Sequence, residues 1–138
     1  MFSAKEKSSN VQYDTVISAK TEITGDVRFS GGVNIDGVIK GNLTADGSGS
    51  AVLRVSNKGR VEGDIHAPNI IINGEINGNI YASEYIELAK DARITGDVHY
   101  KAMEMVMGAS VNGQLKHQAD GKAAKGKPVQ TVSESKVD

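Results

Sequence analysis

Aliphatic residues in this chain recur at a spacing of two, never at the three-and-four spacing of an amphipathic helix, inside a seven-residue frame that appears six times. The cleanest copy is GRVEGDI, Gly59 to Ile65, and the others begin at Thr21, Gly37, Gly74, Ala92 and Ala109. Two residues before the central glycine stand Ile23, Ile39, Val61, Ile76, Ile94 and Val111; two after it stand Val27, Leu43, Ile65, Ile80, Val98 and Leu115. Ahead of each frame lies an alternating pair, Val33/Ile35, Leu53/Val55, Ile70/Ile72, Ile86/Leu88 and Met103/Met105, with Ile17 alone in the first copy. The pattern predicts three short strands per repeat, joined by glycine or polar corners.

The central glycines, Gly25, Gly41, Gly63, Gly78, Gly96 and Gly113, are spaced 16, 22, 15, 18 and 17 residues apart. The 22 is a normal repeat carrying an insertion of linker composition, DGSGSA at Asp46 to Ala51. A repeat this short cannot bury its own inward face, so it must stack on its neighbours at about 4.8 Å per coil, giving a rod about 29 Å long. Two features outside the apolar pattern support this register. The residue after each glycine reads Asp26, Asn42, Asp64, Asn79, Asp97, Gln114, so no two carboxylates fall on adjacent rungs, and Arg60, Glu75 and Arg93 alternate in sign three residues before it.

Composition narrows the picture. At 138 residues with 4% aromatics, no Trp and 16 Gly, the chain has material for one aliphatic, repetitive core. A net charge of -1 with interspersed signs argues against a nucleic-acid binder, so no nucleic-acid partner is expected. The absence of cysteine excludes disulfides and thiolate chemistry. No apolar run approaches the roughly 20 residues of a membrane span, and no signal peptide is evident, so a cytoplasmic location is expected. Residues 1–14 and 118–138 are polar, lack the frame, and read as disordered tails around a domain at 15–117.

Candidate chemistry is sparse. His66 and His99 occupy equivalent outward positions, but two rungs separate them by about 10 Å, too far for a shared zinc; His117 lies at the edge of the tail. Asp26, Asp64 and Asp97 share one ladder on a convex face, without the water-excluding cleft that paired-carboxylate hydrolysis needs. GSGS at Gly47 lacks the Lys and helix of a phosphate-binding loop. No catalytic, cofactor or metal residue is expected. The N-terminal MFSAKEK places Met1 and Phe2 beside Lys5 and Lys7, a pattern suited to a bilayer interface with anionic headgroups, where many weak copies on a polymer would act together. Neither end of the solenoid carries a capping element, so end-to-end self-association is expected, with Met103, Met105, Val111 and Leu115 at one contact and Ile17, Ile23 and Val27 at the other.

Six coils of this frame over residues 15–116 resemble the bactofilins, the bacterial polymer-forming cytoskeletal family. The resemblance implies an all-β, single-stranded right-handed parallel β-helix (a β-solenoid of about six coils with disordered tails) that forms apolar filaments without nucleotide through contacts between like ends. It also implies a scaffold for cell-shape, cell-wall or morphogenetic proteins, peripheral on the cytoplasmic face of the inner membrane, held to lipid by an N-terminal peptide resembling MFSAKEK. Relatives often place Phe where this chain has Val111, which makes the C-terminal contact smaller. The enzyme alternative, a left-handed β-helix acyltransferase, requires a hexapeptide repeat, whereas the inward residues from Ile23 to Leu43 step by 4, 6, 2, 4 and 4. An ice-binding solenoid would need a flat stack of Thr, and the third position after glycine reads Arg28, Thr44, His66, Tyr81, His99, Lys116. A carbohydrate-cleaving β-helix would need longer coils and loops than one short insertion supplies.

Overall fold

The computed structural model describes residues 13–46 and 49–118, and among these it contains strands, turns and no helix. The three residues leading into each central glycine form a short strand: β2 (Glu22–Thr24), β5 (Val38–Lys40), β8 (Arg60–Glu62), β10 (Glu75–Asn77), β12 (Arg93–Thr95) and β14 (Ser110–Asn112). They stack in parallel as one six-stranded sheet in the order β14-β12-β10-β8-β5-β2. The remaining strands are β1 (Thr15–Ile17), β3 (Val27–Phe29), β4 (Gly32–Ile35), β6 (Leu43–Ala45), β7 (Val52–Val55), β9 (Ile65–Ile72), β11 (Ile80–Leu88), β13 (Val98–Met105) and β15 (Leu115–His117). They make a nine-stranded parallel sheet. Together the two sheets form a parallel β-solenoid of about six turns, the all-β architecture expected from the period.

One corner differs from the expected breaks. In β9, β11 and β13 the edge after the glycine and the edge before the next frame are one continuous strand, with a register shift in its pairing between Ala82 and Tyr85 of β11. In the first two coils the same corner is interrupted, at Ser30–Gly31 and at the insertion that follows Ala45. Asn69 fastens the latter by donating its Nδ2 to the carbonyls of Gly49 and Ala51, at 3.4 and 3.1 Å.

Hydrogen bonding runs one residue beyond each end of the expected 15–117 domain. The Asp14 N–H donates to the Gly32 carbonyl at 2.8 Å, and the Gln118 N–H to that of Tyr100 at 2.7 Å. Apart from Tyr13, Asp14 and Gln118, the expected tails lie outside the described residues.

The recurrence of the frame has a backbone cause. Gly96 has φ +143°, in the region L side chains avoid, and a Cβ built there would run into the carbonyl oxygen of Gly78, one coil below. The residue after each glycine then completes the corner. Asn42, Asp64, Asn79, Asp97 and Gln114 each donate their N–H to the side-chain oxygen of the preceding rung, Asp26, Asn42, Asp64, Asn79 and Asp97, at 2.9–3.0 Å. The sequence separations of these five bonds are 16, 22, 15, 18 and 17, the glycine spacings themselves. A short side chain with an acceptor oxygen is what that position requires, which explains its restriction to Asp and Asn below the last rung.

Candidate assembly interfaces

The solenoid core is four columns of side chains running along the axis, aliphatic except for the exposed Thr15 at the start of one. Two belong to the frame: Ile23-Ile39-Val61-Ile76-Ile94-Val111 and Val27-Leu43-Ile65-Ile80-Val98-Leu115. Two belong to the alternating pairs: Thr15-Val33-Leu53-Ile70-Ile86-Met103 and Ile17-Ile35-Val55-Ile72-Leu88-Met105. Through the middle of the rod these side chains are sealed, with Ile86, Leu88 and Val98 at 0% exposure. At the last coil the core opens: Met103, Val111 and Leu115 are half-buried and Met105 is 44% exposed. Fully burying a Leu, Ile or Met side chain contributes about 1.5–3 kcal/mol, so each of these four retains something on the order of 1 kcal/mol for a covering surface.

Backbone groups are open at the same edge. In the coil below, Gly96 and Val98 donate their N–H groups to the carbonyls of Asn112 and Gln114, at 3.0 and 2.8 Å. Gly113 and Leu115 occupy the same positions in the last coil, with no further coil among the described residues. At the other end Ile23 and Val27 are half-buried, and Ile17, on the terminal strand β1, is 7% exposed. Met1, Phe2, Lys5 and Lys7, the expected membrane-binding residues, lie outside the described residues.

Sequence reasoning missed three exposed apolar side chains, Val16 (60%), Val106 (37%) and Met107 (91%). Val106 and Met107 sit at the corner after β13, where alternation assigns no inward residue; the run MEMVM from Met103 was the available signal. With Met105 they extend the open C-terminal core onto an apolar lip, so among the described residues the C-terminal end is the more apolar.

The flanks carry polar stacks. Tyr81 lies between His66 and His99, with ring centroids 4.3 and 4.5 Å away and planes within 9° of parallel. Both imidazoles therefore face a phenol instead of one another, and among the described residues no group of three His, Cys, Asp or Glu is arranged to hold a metal. Burial, then the Lys116 charge, lowers the His99 pKa, partly opposed by Asp97. These rings line one wall of an open groove of about 600 Å³, over a floor that includes Ala67 and Ala82. Further round the rod Glu87 and Glu104 stand in register on adjacent rungs; burial and then Glu104 raise the Glu87 pKa. Tyr85 donates its hydroxyl to Glu104 at 3.0 Å, and burial and that bond raise its pKa to about 12. None of these groups pairs a nucleophile with a base, and the groove is open to water along its length.

A parallel solenoid whose flanks are closed by their own ladders and whose core surfaces at its ends is a structural rod. The family described as polymer-forming cytoskeletal, Bactofilin, matches residues 15–116, and the chain belongs to it. It is 33% identical over 110 residues to bactofilin BacO of Myxococcus xanthus, covering 80% of this chain and 84% of that one. It is 32% identical over 116 residues to bactofilin BacP of the same organism, covering 83% of this chain and 47% of BacP. No solved structure matches the chain. The family consists of structural cytoskeletal proteins and not of enzymes, which removes the acyltransferase alternative. Among the described residues no helix is long and apolar enough to cross a membrane.

Proposed function

We propose that this chain polymerises end to end into filaments without nucleotide or metal, and that the filaments lie on the cytoplasmic face of the inner membrane as a scaffold for cell-shape or cell-wall proteins. The observation that carries this reading is the opening of the core at the last coil, where the columns sealed at Ile86, Leu88 and Val98 surface at Met103, Met105 and Leu115. An aliphatic column is covered most fully by another aliphatic column, and a second copy of this chain supplies one. Val111 offers less area than an aromatic residue would, and the neighbouring lip of Val106 and Met107 adds apolar surface beside it.

Negative-stain electron microscopy of the purified chain in plain buffer tests the proposal. Unbranched filaments a few nanometres wide are expected; uniform monomers or closed trimers would overturn it. Leu115→Arg sets a charge on the C-terminal edge, beyond the rung of Val98, and is expected to give short soluble oligomers with the β-sheet circular dichroism unchanged. Persistence of long filaments would remove Leu115 from the contact. Attachment to lipid rests on Phe2, Lys5 and Lys7 in the N-terminal segment. Deleting residues 2–8 is expected to release polymer from anionic liposomes in a flotation assay while leaving filaments intact, and co-flotation of the truncated chain would assign the anchor elsewhere.

A further inference from the structure

Along two of the four core columns, branched aliphatic residues fill the four rungs below the last coil, Ile86 and Leu88 being the nearest, and both columns change to methionine together at Met103 and Met105. With Met107 at the next corner, three of the chain's four methionines fall within five residues of one edge. Packing alone does not ask for this, because Leu or Ile serves the same columns elsewhere. An unbranched thioether differs from Leu in two ways: it conforms to an irregular opposing surface, and it accepts an oxygen atom. Met107 is 91% exposed and Met105 44%, so oxidants reach both sulfurs in the free subunit.

We propose that Met105 and Met107, with Met103 behind them, form an oxidation site that stops growth at the C-terminal end. This deepens the end-to-end reading above and rests on it. A hydroperoxide is the co-reactant. The sulfur lone pair forms a bond to the terminal peroxide oxygen as the O–O bond breaks; the sulfur loses two electrons, and the peroxide leaves as water or alcohol after proton transfer. The product, methionine sulfoxide, puts a strongly polar S–O group on an edge that associates only by shedding water. A formed end contact covers these sulfurs, so the modification acts on free subunits and free filament ends, capping growth instead of dissolving polymer. Methionine sulfoxide reductases reverse it, one enzyme for each sulfoxide epimer.

The test compares sedimentation of the full chain before hydrogen peroxide, after it, and after both reductases with a thiol reductant, with tandem mass spectrometry locating each sulfoxide. Oxidation at Met105 and Met107 is expected to raise the critical concentration for polymer by at least roughly tenfold, and reduction to restore it. The triple variant M103L/M105L/M107L keeps Met1 as its only methionine; its critical concentration, whatever its value before peroxide, is expected to be the same after it. Unchanged assembly of wild type carrying mapped sulfoxides at Met105 and Met107 would overturn the proposal, as would equal peroxide sensitivity in the triple variant. Should that variant not assemble at all, partially oxidised wild type decides. Sulfoxide concentrated in the unassembled fraction supports the site, and equal distribution between pellet and supernatant overturns it. Unoxidised wild type that forms no polymer would instead refute the end-to-end reading, and this inference with it.

Discussion

Asn79 occupies the middle of the corner ladder, and removing its side chain isolates one bond. Its own N–H donates to Asp64 Oδ1 at 2.9 Å, a bond that Asn79→Ala keeps, while its Oδ1 accepts the Asp97 N–H at 3.0 Å, a bond that Asn79→Ala deletes. The Asp97 N–H is part-buried, so water replaces the lost acceptor only partly, and the expected cost is about 1–2 kcal/mol. Asp64→Ala removes an ionised acceptor from the Asn79 N–H and should cost about 1.5–3 kcal/mol. Gln114→Ala, on the last rung, removes a side chain with no coil beyond it among the described residues and should fall within about 0.5 kcal/mol of wild type. Urea unfolding followed by far-ultraviolet circular dichroism, in a Leu115→Arg background to prevent long filaments, measures all three. With an m-value of about 1–3 kcal/mol/M, the Asn79 change lowers the midpoint by roughly 0.3–2 M. Amide exchange at Asp97 should accelerate in Asn79→Ala and stay unchanged in Gln114→Ala. Equal stability of the Asn79 and Gln114 variants would refute the ladder as a source of stability and reduce it to a surface pattern.

Two further outcomes follow from the same corner and its flank. Gly78→Ala sets a Cβ against the backbone carbonyl of Gly63 and should cost more than about 3 kcal/mol, whereas Gly25→Ala meets open space and pays only for φ +132°, about 1–2 kcal/mol; thermal melts of the two variants should separate accordingly. The pKa of His99 is lowered in the folded chain, chiefly by burial, so the unfolded state binds its proton first as pH falls. The stability this imidazole contributes is therefore present above its unfolded pKa of about 6.5 and is lost as pH drops through the folded value. Urea midpoints measured between about pH 8 and pH 5 should decline in wild type and decline less in His99→Gln.

Much of the fold is legible in the residues because a solenoid repeats its constraints. The glycine spacings of 16, 22, 15, 18 and 17 return unchanged as the separations across the corner bonds, so register follows from counting. What the Asp and Asn side chains do there is less legible. In the sequence they read as charges spaced to avoid repulsion; in the structure they are acceptors for backbone N–H groups, a role visible only once the next coil's amide is in place. The same limit applies to Tyr81, which inserts between two histidines that sequence alone separates by distance, and to β9, which runs on through Pro68 and joins two edges that the pattern divides. Met107 was missed because alternation ends at β13, and a corner residue has no inward or outward assignment until the chain turns.

The contrast between flank and end gives the proposed association its direction. Along the flanks, backbone groups are bonded coil to coil, the corner amides are held by side-chain oxygens, and the outer faces carry pairs such as Lys40–Glu22 at 3.3 Å and Lys116–Asp97 at 3.5 Å. Such exposed pairs add little stability, but they keep the faces hydrated and discourage sideways sticking between rods. Among the described residues the large exposed apolar side chains are Val16 in the first coil and Met105, Val106 and Met107 in the last. Apart from Val16, which faces outward from β1, this exposed apolar area lies at the C-terminal coil, and the two ends differ, because Ile17 is nearly sealed while Met105 is not. A rod built this way gains little from lateral contact and most from covering its C-terminal coil. In the proposed filament, the direction of growth would be set by where the aliphatic columns surface.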